Sequence, residues 1–337
     1  MRIAVSLLPG LLFLAGLWYL DNFRLVTIRR VLEAVGIGAA IALLLIPFNG
    51  WASGVSRVYY PHLGAPLIEE FCKAIPMLYW IARNRAGFAI DAGVLGFSVG
   101  AGFAQVENVY YLDAIADASP LLWAVRGCGT AMMHGAATAC GAILARTLTA
   151  RRGFRTGALW QGLAVAVAFH VVHNSGLVST TLTAELTIVA GFALLFFVFN
   201  HSERNLTTWL HAGLDRDIET WAAVEAGEFP DTSAGNYLRR LGEHYGPAQL
   251  KAIRALVKLS IEVGAQAKGD LIRRRCGLPV TPDPAVPLRL ARMAELETEI
   301  GRAGMMALAP LLGPLDQRAW EKFRAGTENP NQSLRGF

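Results

Sequence analysis

Apolar stretches crowd the first two hundred residues, at roughly 3–20, 32–49, 65–82, 88–112, 121–148, 156–178 and 181–200, while most of the charge lies after His201. About 20 consecutive apolar residues cross the hydrocarbon core as a helix, a form whose backbone satisfies its own hydrogen bonds there. The pattern predicts an all-α fold: a polytopic membrane helix bundle of about seven spans over residues 1–200, then a soluble, mostly helical cytoplasmic domain over residues 201–337. Charged residues make up 17% of the chain, against about 25% in soluble domains. The first stretch, IAVSLLPGLLFLAGLWYL, follows a single arginine, is long for a signal peptide and runs into DNFRLVTIRR, so it reads as a retained span.

The net charge of +5 and pI near 9.2 do not point to nucleic acid, because arginines in short membrane loops serve orientation. Arg24, Arg29 and Arg30, then Arg83 and Arg85, then Arg151, Arg152 and Arg155 occupy every second loop, and the alternate loops are poor in basic residues. The alternation puts the N-terminus outside and the C-terminal domain in the cytoplasm. Cys72, Cys128, Cys140 and Cys276 form no CxxC pair, so neither a disulfide framework nor a thiolate zinc site is signalled. In the tail, KAIRALVKLSIEV and LRLARMAELETEIGRAGMMALAPLL carry apolar residues at helical spacing, and DTSAGN and GLPVTPDPAVPL mark breaks.

A charge at the centre of a membrane helix costs roughly 2.5–3.5 kcal/mol on insertion scales, so such residues face the bundle interior and have a partner or a task. The stretch APLIEEFCKAIPMLYW holds Glu69, Glu70 and Lys73 on one helix at i,i+3 and i,i+4 spacing. One lysine neutralises one carboxylate. The other glutamate is then free to serve as a water-activating base, and which of the two it is stays open. The bland alternative is a structural ion pair. Glu107, in GFAQVENVYYL, shares a face with Phe103, although a glutamate so near a span end is commonly interfacial. His134 lies in AMMHGAATACG among small residues that permit close packing. In AFHVVHNSG, His170 and Asn174 are four residues apart on one face and could address one oxygen, while His173 reads as a helix-end cap. Asp91 reads as interfacial, and Arg126 has no assigned role.

Depth adds to this. With alternate spans running in opposite directions, Glu69, Glu70, Glu107, His170 and Asn174 all fall in the outer half of the bilayer, and His134 falls near the midplane. Carboxylates, two histidines and an asparagine in a water-accessible intramembrane pocket can hydrolyse a peptide bond: a glutamate takes a proton from water, and an N–H donates to the oxyanion. HExxH is absent, so no zincin-type site is supported. No cofactor is signalled by a motif, but a divalent metal such as zinc held by His and Glu of separate helices stays open. GFSVG (Gly96 to Gly100) has the GxSxG form, yet it lies inside a glycine-rich span and reads as a helix-packing pair instead of a nucleophile elbow.

Taken together, EEFCK at Glu69–Lys73, FAQVEN at Phe103–Asn108, His134 and His170 resemble the EExxK, FxxxE and two histidine motifs of the PrsW family, over about residues 60–178. That family comprises bacterial intramembrane proteases related to the type II CAAX prenyl endopeptidases. The resemblance implies an intramembrane endopeptidase of the bacterial inner membrane acting on membrane-embedded or membrane-anchored proteins, with site-1 cleavage of an anti-sigma factor-like substrate as one instance. It implies a catalytic set of Glu69, Glu70, Glu107, His134 and His170, with Asn174 as a further donor, and leaves open whether the chemistry is glutamic or metal-dependent. The competing reading is a non-catalytic scaffold or a proton- or ion-coupled transporter. The absence of a repeat between the halves counts against transport.

Overall fold

The computed structural model describes residues 2–19, 26–83, 85–111, 117, 119–152, 156–175, 177, 179–225, 232–242, 244–281 and 283–312. Among them are ten α-helices, one π-helical turn and no strand. The helices are α1 (Arg2–Tyr19), α2 (Ile28–Val55), α3 (Ala65–Ala82), α4 (Ala89–Tyr111), α5 (Pro120–Arg152), α6 (Thr156–Asn174), α7 (Thr180–Glu225), α8 (Ser233–Gly242), α9 (Pro247–Arg275) and α10 (Val286–Leu312). The π-turn, Tyr60–Gly64, runs directly into α3. Loop residues Arg24, Asp113 and Arg155, and the C-terminal TENPNQSLRGF, lie outside the described residues. The chain divides into two compact units, Met1–Arg204 and Asn205–Phe337.

Three of the described helices are long and apolar enough to cross a membrane by length and composition: Ile28–Val55, Ala89–Tyr111 and Pro120–Thr149. Ile3–Tyr19 and Thr181–Phe197 are shorter apolar helices. The helices expected around residues 65–82 and 156–178 are present as α3 and α6. α3 carries three charged residues, Glu69, Glu70 and Lys73, in its otherwise apolar length.

The first unit is organised around α4, which is buried without interruption from Ile90 to Ala104. A helix apolar all round belongs inside, and glycines let its neighbours approach to backbone contact. A Cβ on Gly38 of α2 would strike the Val99 carbonyl of α4, and one on Gly102 would strike the Val35 carbonyl of α2. A Cβ on Gly100 would strike the His134 carbonyl of α5. Gly141 and Gly162 join α5 to α6 in the same way. The Ser98 hydroxyl is buried and donates to the Val94 carbonyl at 2.7 Å, so GFSVG is a packing segment of α4.

Side chains fix the ends of these helices. Thr27 caps α2 by accepting from the Arg30 N–H. Asp91, expected at an interface, is buried and accepts from the Gly87 and Phe88 N–H groups at 3.0 and 3.3 Å, satisfying donors ahead of α4. Arg146 of α5, also buried, donates through Nε to the Gly87 carbonyl at 2.8 Å. Asn108 of α4 donates to the Gly127 carbonyl of α5 at 3.1 Å. The last bond ties down the residue that follows Glu107.

In the second unit, Ile253, Leu256 and Val257 of α9 meet Met293, Leu296 and Ile300 of α10 in one apolar core. A buried Lys268 pairs with Asp217 at 2.6 Å. The Ala285 N–H and the Arg289 guanidinium hold the Asp283 carboxyl below the usual carboxylate range. The two periodic tail segments read from the sequence are α9 and α10.

Candidate active site

Polar side chains from four helices meet inside the first unit. Helix α3 supplies Glu69, Glu70 and Lys73, all buried, while the other face of the same helix exposes Leu67, Phe71, Ile75 and Tyr79. Spacing of three and four residues puts the charged set on one stripe, and the i,i+4 apolar set forms another. Helix α4 supplies Glu107, α5 supplies His134 and α6 supplies His170.

The hydrogen bonds fix the direction of each group. Lys73 Nζ donates to Glu70 Oε1 at 2.6 Å and to His134 Nδ1 at 2.7 Å. An ammonium has no lone pair, so His134 Nδ1 is the acceptor and the ring proton sits on Nε2. His134 Nε2 donates it to Glu107 Oε2 at 2.5 Å. Glu70 Oε1 also receives His170 Nδ1 at 2.9 Å, and Glu70 Oε2 accepts from the Thr138 hydroxyl at 3.3 Å. His170 Nε2 is left with its lone pair, 3.9 Å from Glu69 Oε2. The Phe103 ring packs on both partners, 4.7 Å from Lys73 Nζ and 4.8 Å from the His134 ring. The expectation that Phe103 and Glu107 share a face thus corresponds to a ring and a carboxylate on the same histidine.

The three glutamates differ in access. Glu70 is closed in, its side chain 1% exposed, whereas that of Glu107 is 29% exposed. A cavity of about 190 Å³ lies between α2 and α4, bounded by Ile46, Asn49, Ser53 and Tyr111, and it reaches both Glu69 and Glu107. At roughly 30 Å³ per water in the liquid, it has room for several. The close contacts at Gly38 and Gly102 hold the same two helices together elsewhere along their length.

Of the residues singled out in the sequence, Glu69, Glu70, Glu107, His134 and His170 converge. Asn174 does not join them: its Nδ2 donates to the Pro61 carbonyl of the π-turn at 3.1 Å, and its own carbonyl meets His62 Nδ1 at 2.5 Å. His173, expected to cap its helix, instead meets the Thr187 hydroxyl of α7 at 2.8 Å. Arg126 lies 5.9 Å from the Tyr111 ring. Sequence reasoning missed Asn49, whose Nδ2 donates to Glu69 Oε1 at 2.7 Å, and Tyr60, whose hydroxyl donates to Asn49 Oδ1 at 2.6 Å. Asn49 stands out as an amide closing the apolar run LLLIPFNGW, a signal the charge search did not weigh.

Glu69, His134 and His170 could hold a metal ion, with ligand-capable atoms all within 4.8 Å of one another. Three observations fit a divalent cation. One carboxylate and two imidazoles are a common catalytic zinc set, and two ligands of a tetrahedral zinc stand roughly 3.4 Å apart, close to the 3.9 Å between Glu69 and His170. Glu70 orients His170 through Nδ1, as an outer carboxylate does behind a ligating histidine. Three carboxylates against one ammonium also leave negative charge for a cation to neutralise. His134 could join only by exchanging one of its present bonds.

A family model described as PrsW family intramembrane metalloprotease matches residues 26–200, just over half of the chain. That range contains all five converging residues. No curated protein and no solved structure matches the chain significantly.

Proposed function

The chain belongs to the PrsW family of intramembrane metalloproteases, and from that premise we propose that it cuts membrane-anchored proteins in the outer half of the bilayer, at the cleft reaching Glu69 and Glu107. It is an integral membrane protease whose substrates are membrane proteins. The observation that carries the finer reading is the difference in access among three clustered carboxylates. Glu69 and Glu107 border a cleft with room for water, and Glu70 is sealed behind them with Lys73.

In this reading Glu107 is the base. It takes a proton from a water in the cleft while His134 Nε2 holds its Oε2 in place. The resulting hydroxide adds to the scissile carbonyl carbon. The C–N bond then breaks, and Glu107 returns the proton to the leaving amine. Lys73 and Glu70 keep His134 and His170 in single orientations. Held by Glu69 and His170, a divalent metal such as zinc would supply Lewis-acid polarisation of the scissile carbonyl. Asn174 anchors the π-turn that feeds α3 and does not serve as an extra donor.

The topology follows the arginine asymmetry: seven apolar helices within residues 1–200 as spans in the bacterial inner membrane, the N-terminus outside, and residues 201–337 as a cytoplasmic domain. In this reading α3 is a span because Glu69, Glu70 and Lys73 turn into the bundle, and α6 is its partner span carrying the buried His170. An anti-sigma factor-like protein with one span is the substrate type that fits an outer-half cut. The test is full-length protein reconstituted in lipid with single-span substrates, products read by mass spectrometry. Cuts within the outer half of the substrate span are expected. No cleavage of any such substrate, or cuts confined to the cytoplasmic side, would overturn the proposal.

A further inference from the structure

We infer that Asn49, itself held by Tyr60, is a positioning residue that sets the rotation of the Glu69 carboxylate; the inference rests on the protease reading above. A carboxylate accepts only, so the Asn49 amide must turn its nitrogen toward Glu69. Its oxygen then faces Tyr60, whose hydroxyl must donate. The result is a one-directional relay, Tyr60 O–H to Asn49 Oδ1 at 2.6 Å and Asn49 Nδ2–H to Glu69 Oε1 at 2.7 Å. With Oε1 taken, Oε2 is the oxygen left toward His170 Nε2, at 3.9 Å.

The relay is itself anchored. Tyr60 opens the π-turn, and its ring packs against Phe48 at 6.4 Å. The next residue, Pro61, offers its carbonyl to Asn174 of α6, the helix that also carries His170. Glu69 is thus oriented from α2 and the turn, while His170 is oriented by Glu70. Single-turn π-helices recur at functional sites, and here the turn sets the donor behind a buried carboxylate. Asn49 also borders the cleft, so the relay stands at the place where substrate would arrive.

The test uses full-length protein in lipid, with membrane abundance and melting checked. Asn49→Ala should lower kcat about 10–100-fold, as the loss of an outer partner does, with KM within about twofold. Tyr60→Phe keeps the ring packing and should lower kcat by less. The double variant should be no worse than Asn49→Ala alone, because the hydroxyl acts only through the amide. Unchanged kcat in Asn49→Ala, or fully additive losses in the double variant, would overturn the inference. A second readout needs no turnover: the infrared carboxylate band that disappears in Glu69→Gln should shift in Asn49→Ala and, less, in Tyr60→Phe. An unshifted band also overturns the inference. A shifted band in a protein that cleaves nothing would uphold the relay and count against the protease reading instead.

Discussion

Glu70 and His170 stand one hundred residues apart in the chain, yet a carboxylate oxygen and a ring nitrogen meet at 2.9 Å in the interior of the bundle. The same oxygen receives Lys73 at 2.6 Å. Glu70 is therefore the hinge between the ammonium and the histidine, and its removal should be felt first as instability. Glu70→Ala leaves a buried ammonium without its carboxylate, a change that costs about 3–5 kcal/mol. Adding Lys73→Met should restore most of the melting temperature, since a buried pair replaced by apolar groups is often neutral. Thermal unfolding in detergent reads both. Equal melting of Glu70→Ala and wild type would contradict the pairing.

Close packing at α4 makes a second prediction. Gly100 faces the His134 carbonyl with no space for a Cβ, while Gly36 of α2 faces nothing within 4 Å. Gly100→Val should cost at least about 1–3 kcal/mol by overpacking and should displace a site histidine, so activity falls along with stability. Gly36→Ala should leave both within error. Melting and cleavage measured on the two variants check the contrast.

How much of this was legible in the sequence depends on the physics of each residue. Glu69, Glu70, Lys73, His134 and His170 could be found because a charge or imidazole in a long apolar run is costly and needs a partner. The helix expected at 65–82 is α3, Ala65–Ala82, since apolar length and a following Arg-rich turn mark both its ends. Asn49 and Tyr60 were hidden because a neutral amide and a phenol near a span end are ordinary interfacial residues. The π-turn, which has no sequence period of its own, brings Tyr60 to Asn49. Asn174 lies apart for the opposite reason: its spacing from His170 is right for one face, but it is the last residue of α6, where the nearby backbone of the turn takes its amide.

Asn174→Ala follows from that placement. The variant loses one hydrogen bond between α6 and the turn, a stability cost of about 0.5–1.5 kcal/mol. Cleavage should fall no more than severalfold, through loosening of the turn. A loss as deep as that of His170→Ala, at normal abundance, would instead return Asn174 to the reacting atoms.

Metal removal gives a further outcome. Protein stripped with a strong chelator should lose cleavage and recover it with added zinc. His170→Ala and Glu69→Ala should each bind zinc at least about tenfold more weakly, as a ligand contributes no less than the 10–100-fold of an outer partner. Full activity in metal-free protein would contradict the assignment of Glu69 and His170 as ligands.

The most direct measurement is cleavage of a single-span reporter in cells by wild type and by Glu107→Gln, with membrane abundance matched. Glu107 is the most accessible of the three clustered carboxylates, and its Oε2 is held by His134. Loss of a positioned general base is worth about 10²–10⁴ in rate, so the account predicts that Glu107→Gln reduces cleavage at least a hundredfold without changing abundance. Cleavage by Glu107→Gln at the wild-type rate would contradict it.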